Sequence, residues 1–158
     1  MTGRNVSHST IVIERTYSAM PSVVFHAWAD PDARDRWDVP GGDWEMTRHS
    51  QDFRVGGIER VSFGPPGGDV YHVDTRYEDI VADSRIIFSY TVAHGDKRIS
   101  ASVTTVELLP EAHGTKLILT EQAAFLDGGD TASDRQQGWQ SILEKLDAAL
   151  QSEGAGPR

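Results

Sequence analysis

The chain has 158 residues, 38% hydrophobic and 25% charged, which suits one soluble globular domain with a core of its own. Its 15 Lys and Arg against 24 Asp and Glu leave a formal charge of −9 with no visible basic cluster, an argument against a nucleic-acid partner. There are no cysteines, so disulfides, thiol catalysis and zinc–thiolate sites are excluded.

Met1 to Thr10 is polar and carries no apolar signal region, and no apolar run approaches the ~20 residues of a membrane span, so no membrane association and a cytoplasmic location are expected. Residues 10–17, TIVIERTY, read as a first strand rich in β-branched side chains. Pro21 opens a helix, PSVVFHAWAD, that places Val24, Phe25 and Trp28 on one stripe. Asp30-Pro31 breaks it, and a second short helix, PDARDRW, is expected to end near Trp37 before the Pro40-Gly41-Gly42 loop.

From Trp44 to Phe125 the pattern turns to strands. WEMTRHSQDFRV and GGIERVSF flank Gly56-Gly57, a hairpin signal, and Pro65-Pro66-Gly67-Gly68 is the next turn. In DVYHVDTRYEDIV, Tyr71, Val73, Thr75 and Tyr77 share one face, with His72, Asp74, Arg76 and Glu78 on the other. RIIFSYTV groups Ile86, Phe88, Tyr90 and Val92. In KRISASVTTVELL the apolar parity switches between Val103 and Val106, which predicts a bulge near Thr104-Thr105. After Asp127-Gly128-Gly129-Asp130, Ser133 with Gln136 reads as a capping pattern that opens a long helix to about residue 151. Its apolar stripe is Trp139, Ile142, Leu143, Leu146 and Leu150.

One residue breaks the alternation. In TKLILTEQAAF, residues 115–125, Leu117, Leu119, Glu121, Ala123 and Phe125 share a strand face, so Glu121 should point where the leucines point. A buried carboxylate needs a partner, a water or a proton. It is the one candidate catalytic residue, as a general acid/base, and a candidate ligand anchor. The competing reading is a structural carboxylate bonded to a neighbouring Arg, Tyr or backbone N–H.

The layout is a strand, two short helices, a long antiparallel meander and one long helix, which must bury its stripe against the sheet. In order and spacing, IVIERTYSAMPSVVFHAWADPDARDRW, DFRVGG, YEDIVADSRIIFSYTV, RISASVTTVEL with GTKLILTEQAAFLDG, and the GW-containing last helix resemble the SRPBCC superfamily (START/birch-pollen-allergen-like). The branch they resemble is the bacterial AHSA1-like group, homologues of the heat-shock ATPase activator. The resemblance runs over about residues 10–150 and implies one α+β helix-grip domain across 1–158. The implied fold is a curved antiparallel sheet of six to seven strands, two short helices and one long C-terminal helix. It also allows a homodimer. It implies no single function, because the superfamily spans lipid carriers, receptors and cyclases. The chaperone-contacting N-terminal domain of the eukaryotic activator is not accommodated in 158 residues.

Within that fold Tyr71, Tyr77, Phe88 and Tyr90 are expected on the inner face, where aromatic walls with hydroxyl tips suit a planar or lipid-like ligand, or an ordinary core. Trp139 and Leu143 are expected on the helix over the cavity, Trp37 at a pocket rim and Trp28 in the core. Gly138 costs ~1 kcal/mol relative to Ala inside a helix, so it either permits close approach or leaves room at the pocket mouth. The six histidines make no HxxxH or HxH pair, and Asp127, Asp130 and Asp134 lack EF-hand spacing, so neither metal nor cofactor is expected. No P-loop, dinucleotide fingerprint or GxSxG elbow is present. The leading expectation is a binder of a small hydrophobic or amphipathic molecule between sheet and helix. The alternatives are a cyclase-, dehydratase- or hydrolase-type enzyme using Glu121 with a tyrosine hydroxyl, or a chaperone or stress-response interaction module.

Overall fold

The alternating segments pair into one seven-stranded antiparallel sheet, which a computed structural model describes, with three helices, over residues 4–154. In chain order the elements are β1 (Val6–Tyr17), α1 (Pro21–Ala29), α2 (Pro31–Arg34), β2 (Glu45–Ser50), β3 (Ile58–Gly64), β4 (Tyr71–Val81), β5 (Arg85–His94), β6 (Lys97–Glu111), β7 (Gly114–Leu126) and α3 (Ala132–Gly154). The sheet order is β1-β7-β6-β5-β4-β3-β2: a meander from β2 to β7 that β1 closes on the far side of β7. The curved sheet and the long helix laid across it make the α+β helix-grip architecture. No helix among the described residues is long and apolar enough to cross a membrane.

Local chemistry explains the helices. Pro21 sits in the first turn of α1, where its missing N–H is no loss. Asp30 ends α1, and its carboxylate accepts from Ala33 N at 3.0 Å, capping α2. At α3 the cap is Thr131 rather than Ser133. Thr131 Oγ1 accepts from Asp134 N at 3.1 Å, two positions earlier than the Ser133–Gln136 spacing predicts. The stripe of α3 then delivers Leu143, Leu146 and Leu150 into the core against Ile11, Ile13, Trp28, Leu117 and Leu119.

Two strand expectations need correction. The segment from Trp44 pairs only to Ser50, so Gly56-Gly57 close a longer connection between β2 and β3. The β6 bulge is at Ile99, not Thr104-Thr105: Val92 pairs with Ser100 while Ala93 pairs with Arg98. From Ser100 onward the even residues point inward, so Ser100, Ser102 and Thr104 are buried and Val103 is exposed. The apolar spacing of Ile99, Ala101 and Val103 misled because the last two lie on the solvent-side face and small polar residues lie inside.

Gly114 is held by packing rather than by its backbone angles. A Cβ there would lie 1.9 Å from the Tyr17 carbonyl oxygen, which belongs to the paired strand and cannot swing aside. Gly114→Ala should therefore lower stability by about 2 kcal/mol. At Gly138, inside α3, an added Cβ meets nothing within 4 Å. Gly138→Ala should raise stability by up to ~1 kcal/mol. Urea unfolding of the two variants, read as opposite shifts in midpoint at unchanged slope, checks both.

Candidate functional site

Strand alternation carries Glu121 to the inner face of β7, between Ile11 of β1 and Thr104 of β6, and its exposure is 0%. Three donors reach it. Tyr90 Oη on β5 donates to Oε1 at 2.5 Å, and Trp139 Nε1 on α3 donates to the same oxygen at 2.6 Å. Arg135 Nη1, one turn before Trp139, donates to Oε2 at 2.8 Å. Arg135 is itself fixed: Nη1 also donates to Tyr90 Oη at 2.9 Å, and Nη2 donates to Ser100 Oγ at 2.7 Å and Asp130 Oδ2 at 2.9 Å. The buried Ser100 that the apolar pattern missed is thus a working acceptor. Burial pushes the Tyr90 hydroxyl far above the ordinary tyrosine range, with the Glu121 carboxylate adding and Arg135 opposing. Burial disfavours the Arg135 charge, but Tyr90, Glu121 and Asp130 outweigh it and hold the guanidinium protonated.

A second charged cluster lies toward the other edge of the sheet. Arg34 on α2 donates through Nη2 to Asp38 Oδ2 at 2.5 Å and to Glu59 Oε2 at 3.1 Å, and through Nη1 to Tyr77 Oη and the Trp28 carbonyl, both at 3.2 Å. Tyr77 Oη donates to Glu59 Oε1 at 3.1 Å, and Arg48 on β2 lies 3.4 Å from Glu59 Oε2 and 3.3 Å from Asp35 Oδ1. Asp38 and Glu59 raise the Arg34 pKa despite full burial. Desolvation pushes the Tyr77 hydroxyl up to about 12, Arg34 lowering it and Glu59 raising it.

Between the clusters lies a cavity of about 460 Å³ under α3. Rings form its wall: Trp28 meets Trp37 at 4.7 Å, and Phe88 lies 6.5 Å from Trp139 and 5.8 Å from Tyr90. Farther out, Trp44 stacks on Tyr71 at 5.8 Å. Gly138, Ser141 and Lys145 on α3 and Val39, Pro40 and Gly41 on the facing loop complete it, and Lys145 Nζ donates to Val39 O at 2.8 Å across the gap. A larger depression of about 880 Å³ on the outer face of the sheet is shallow and open, and polar side chains such as Thr10, Arg60, Asp74 and Arg76 border it. The aromatic cavity under α3, the less open of the two, is the better candidate site.

The structure brings Trp37, Tyr71, Tyr77, Phe88, Tyr90 and Trp139 together on that cavity. Trp37 is wall rather than rim: it is 1% exposed, and its Nε1 donates to Ala27 O at 2.9 Å. Leu143 is fully buried in the core and does not line the cavity. Glu121 does not line it either. It sits behind Tyr90, Arg135 and Trp139, in direct contact with α3 rather than across a gap from it. Sequence reasoning missed Arg135, Arg34, Glu59 and Lys145. The i, i+4 spacing of Arg34 and Asp38 was the one local signal for that pair. It also missed an outer-face chain in which Ser62 Oγ lies 2.8 Å from His49 Nε2 and 3.0 Å from His72 Nδ1. Asp130 holds Arg135, and Asp127 Oδ1 accepts from Asn5 N at 2.9 Å. Among the described residues no group of three or more His, Asp or Glu is placed to hold a metal.

Comparison with known proteins places this architecture. Residues 18–151 match the family model for activator of Hsp90 ATPase homolog 1-like proteins. The crystal structure of the Mll3558 protein from Rhizobium loti is similar at 49% identity over 92% of this chain and 99% of that one, with a TM-score of 0.84. That of an uncharacterised protein from Rhizobium leguminosarum is similar at 40% identity, over 96% and 99%, with a TM-score of 0.87. The solution structure of an AHSA1-like protein from Aeromonas hydrophila shares the fold at 24% identity, over 95% and 97%, with a TM-score of 0.72. No curated protein matches the chain.

Removing the central carboxylate should leave three buried donors short of an acceptor. Glu121→Ala should cost about 3–5 kcal/mol in urea unfolding, the range for breaking a buried ion pair. Glu121→Gln keeps an acceptor for Tyr90 and Trp139 and should cost less. Alkaline pH should act through the tyrosines. The Tyr77 pKa is raised from 10.0 to about 12 on folding, so its contribution is whole below pH 10 and is lost as pH rises toward 12. Stability measured against pH should fall across that window, and Tyr77→Phe should shallow the fall.

Proposed function

The chain belongs to the AHSA1-like family of the SRPBCC superfamily, and on that premise we propose that it is a single-domain binder of a small hydrophobic or amphipathic molecule, held between sheet and α3. The observation that carries this reading is the 460 Å³ cavity walled by Trp28, Trp37, Phe88, Tyr90 and Trp139. That volume falls within the ~300–1,000 Å³ of small-molecule sites. Aromatic walls supply apolar contact at little conformational cost, because each ring is already packed against another.

The arrangement of Glu121 favours binding over turnover. Both of its oxygens accept from buried donors, and the tyrosine hydroxyl best placed to assist is spent on the same carboxylate. A general acid or base must be within hydrogen-bond reach of the proton it moves. In this role Glu121 is a positioning residue: it fixes Tyr90, Arg135 and Trp139, which face the ligand.

Gly138 supplies the test. Its missing side chain opens the cavity lining, and nothing within 4 Å opposes a Cβ. Gly138→Trp should fill the mouth while leaving the core residues in place. Native mass spectrometry and ligand-detected NMR against a library of lipids and aromatic acids should show saturable binding to the wild type, lost in Gly138→Trp. Equal binding by both proteins would place the ligand elsewhere, and no binding by the wild type would sink the proposal.

A further inference from the structure

The unmatched polar groups on the cavity lining are donors. Among the described residues, the buried side-chain polar atoms of lining residues without a hydrogen-bond partner are Trp28 Nε1 and Arg48 Nη1. Four cations line the cavity, and three have carboxylate partners: Arg34 with Asp38 and Glu59, Arg48 with Asp35 and Glu59, and Arg135 with Glu121 and Asp130. Lys145 has none. Its Nζ donates to the Val39 carbonyl at 2.8 Å, a neutral acceptor that leaves the ammonium charge unbalanced and two of its hydrogens uncommitted.

Of the four lining acids, Asp38, Glu59 and Asp130 already serve arginines; the fourth, Asp134, has no ion pair among the described residues but is exposed to solvent, eleven residues before Lys145 on α3. A half-buried ammonium gains from a charged ligand acceptor, which balances its charge and takes up an uncommitted hydrogen. Lys145 lies seven residues beyond Gly138 on the same face of α3, about 10 Å along the helix. That span suits a flat bicyclic body with its charged group at the Lys145 end and its rings against Trp139 and Phe88.

We propose that Lys145 is the anion-recognition residue of this cavity, and that the ligand class is an aromatic monocarboxylate whose rings lie among Trp28, Phe88 and Trp139. The proposal rests on the cavity-binding reading above. Ligand arrival adds a charge-assisted hydrogen bond from one of the uncommitted ammonium hydrogens to the carboxylate, beside the bond to the Val39 carbonyl.

Calorimetric titration of 2-naphthoate and its neutral counterpart 2-naphthamide into the full-length protein tests it. The wild type should prefer the naphthoate by about tenfold, with the preference shrinking as salt is raised. Lys145→Met should bring the two affinities together while holding naphthamide within about twofold of its wild-type value, and Lys145→Arg should restore the preference. Gly138→Trp should lose both ligands. If the wild type binds the amide as tightly as the acid, or Lys145→Met keeps the preference, the Lys145 assignment is overturned while cavity binding stands. If neither compound binds the wild type while the library above yields a ligand lost in Gly138→Trp, the aromatic-monocarboxylate proposal is overturned and cavity binding stands; if the library yields none either, both fall.

Discussion

A carboxylate with no exposed surface governs this structure. Glu121 lies on the inner face of β7, and desolvating it would cost several kcal/mol if it stood alone. It does not stand alone because α3 lays two donors, Arg135 and Trp139, across it from above, and β5 brings Tyr90 from the side. The helix is therefore fixed to the sheet in one register along its axis. A slip of α3 by one residue would carry a guanidinium and an indole away from the acceptor they share. The leucines farther along α3 supply the larger share of apolar burial, but that force is non-directional. The charged clamp, in the first turns of α3, sets the position of the helix along its axis.

The Arg34–Glu59–Tyr77 cluster does the same for the short helices. It ties α2 to β3 and β4, and through Asp38 it holds the start of the loop that faces Lys145. With the walls held by charge networks at both ends, the middle need not be filled for the fold to stand. Such networks are often no better for stability than well-packed apolar side chains of the same volume. Their value here is geometric: they keep two walls at a set separation with rings between them.

The sequence made the architecture legible because the signals were periodic. Alternation placed Tyr77, Phe88, Tyr90 and Glu121 on the inner face, and the i, i+3, i+4 stripe oriented α3. It failed at β6, where Ser100, Ser102 and Thr104 turn inward and one extra residue at Ile99 resets the parity. A bulge leaves no local signature when the residues on both faces are small. It failed again for contacts between distant elements. Nothing in the run DRQQGW identifies Arg135 as the partner of Glu121, because the pairing depends on how α3 crosses the sheet. Lys145 was equally silent: a lysine on an amphipathic helix reads as solvated surface until the loop carrying Val39 is seen beside it.

The departures from local rules fall in one place. A carboxylate replaces a leucine-like residue at 121, serine and threonine replace apolar residues at 100, 102 and 104, and glycine interrupts the helix at 138. Taken singly, each lowers the internal consistency of its own element. In space, Glu121 and Ser100 bind Arg135, Thr104 pairs across the ladder with Glu121, and Gly138 opens the helix face above the rings. Sequences that specify a fold tend to break such rules at functional sites. A purely structural clamp would explain Glu121 and Arg135. It would not explain a glycine that an alanine could replace with a gain in helix stability, at an exposed helix position that borders the cavity. That residue joins the clamp to the cavity, and it is the reason to regard the space beneath α3 as kept open rather than left unfilled.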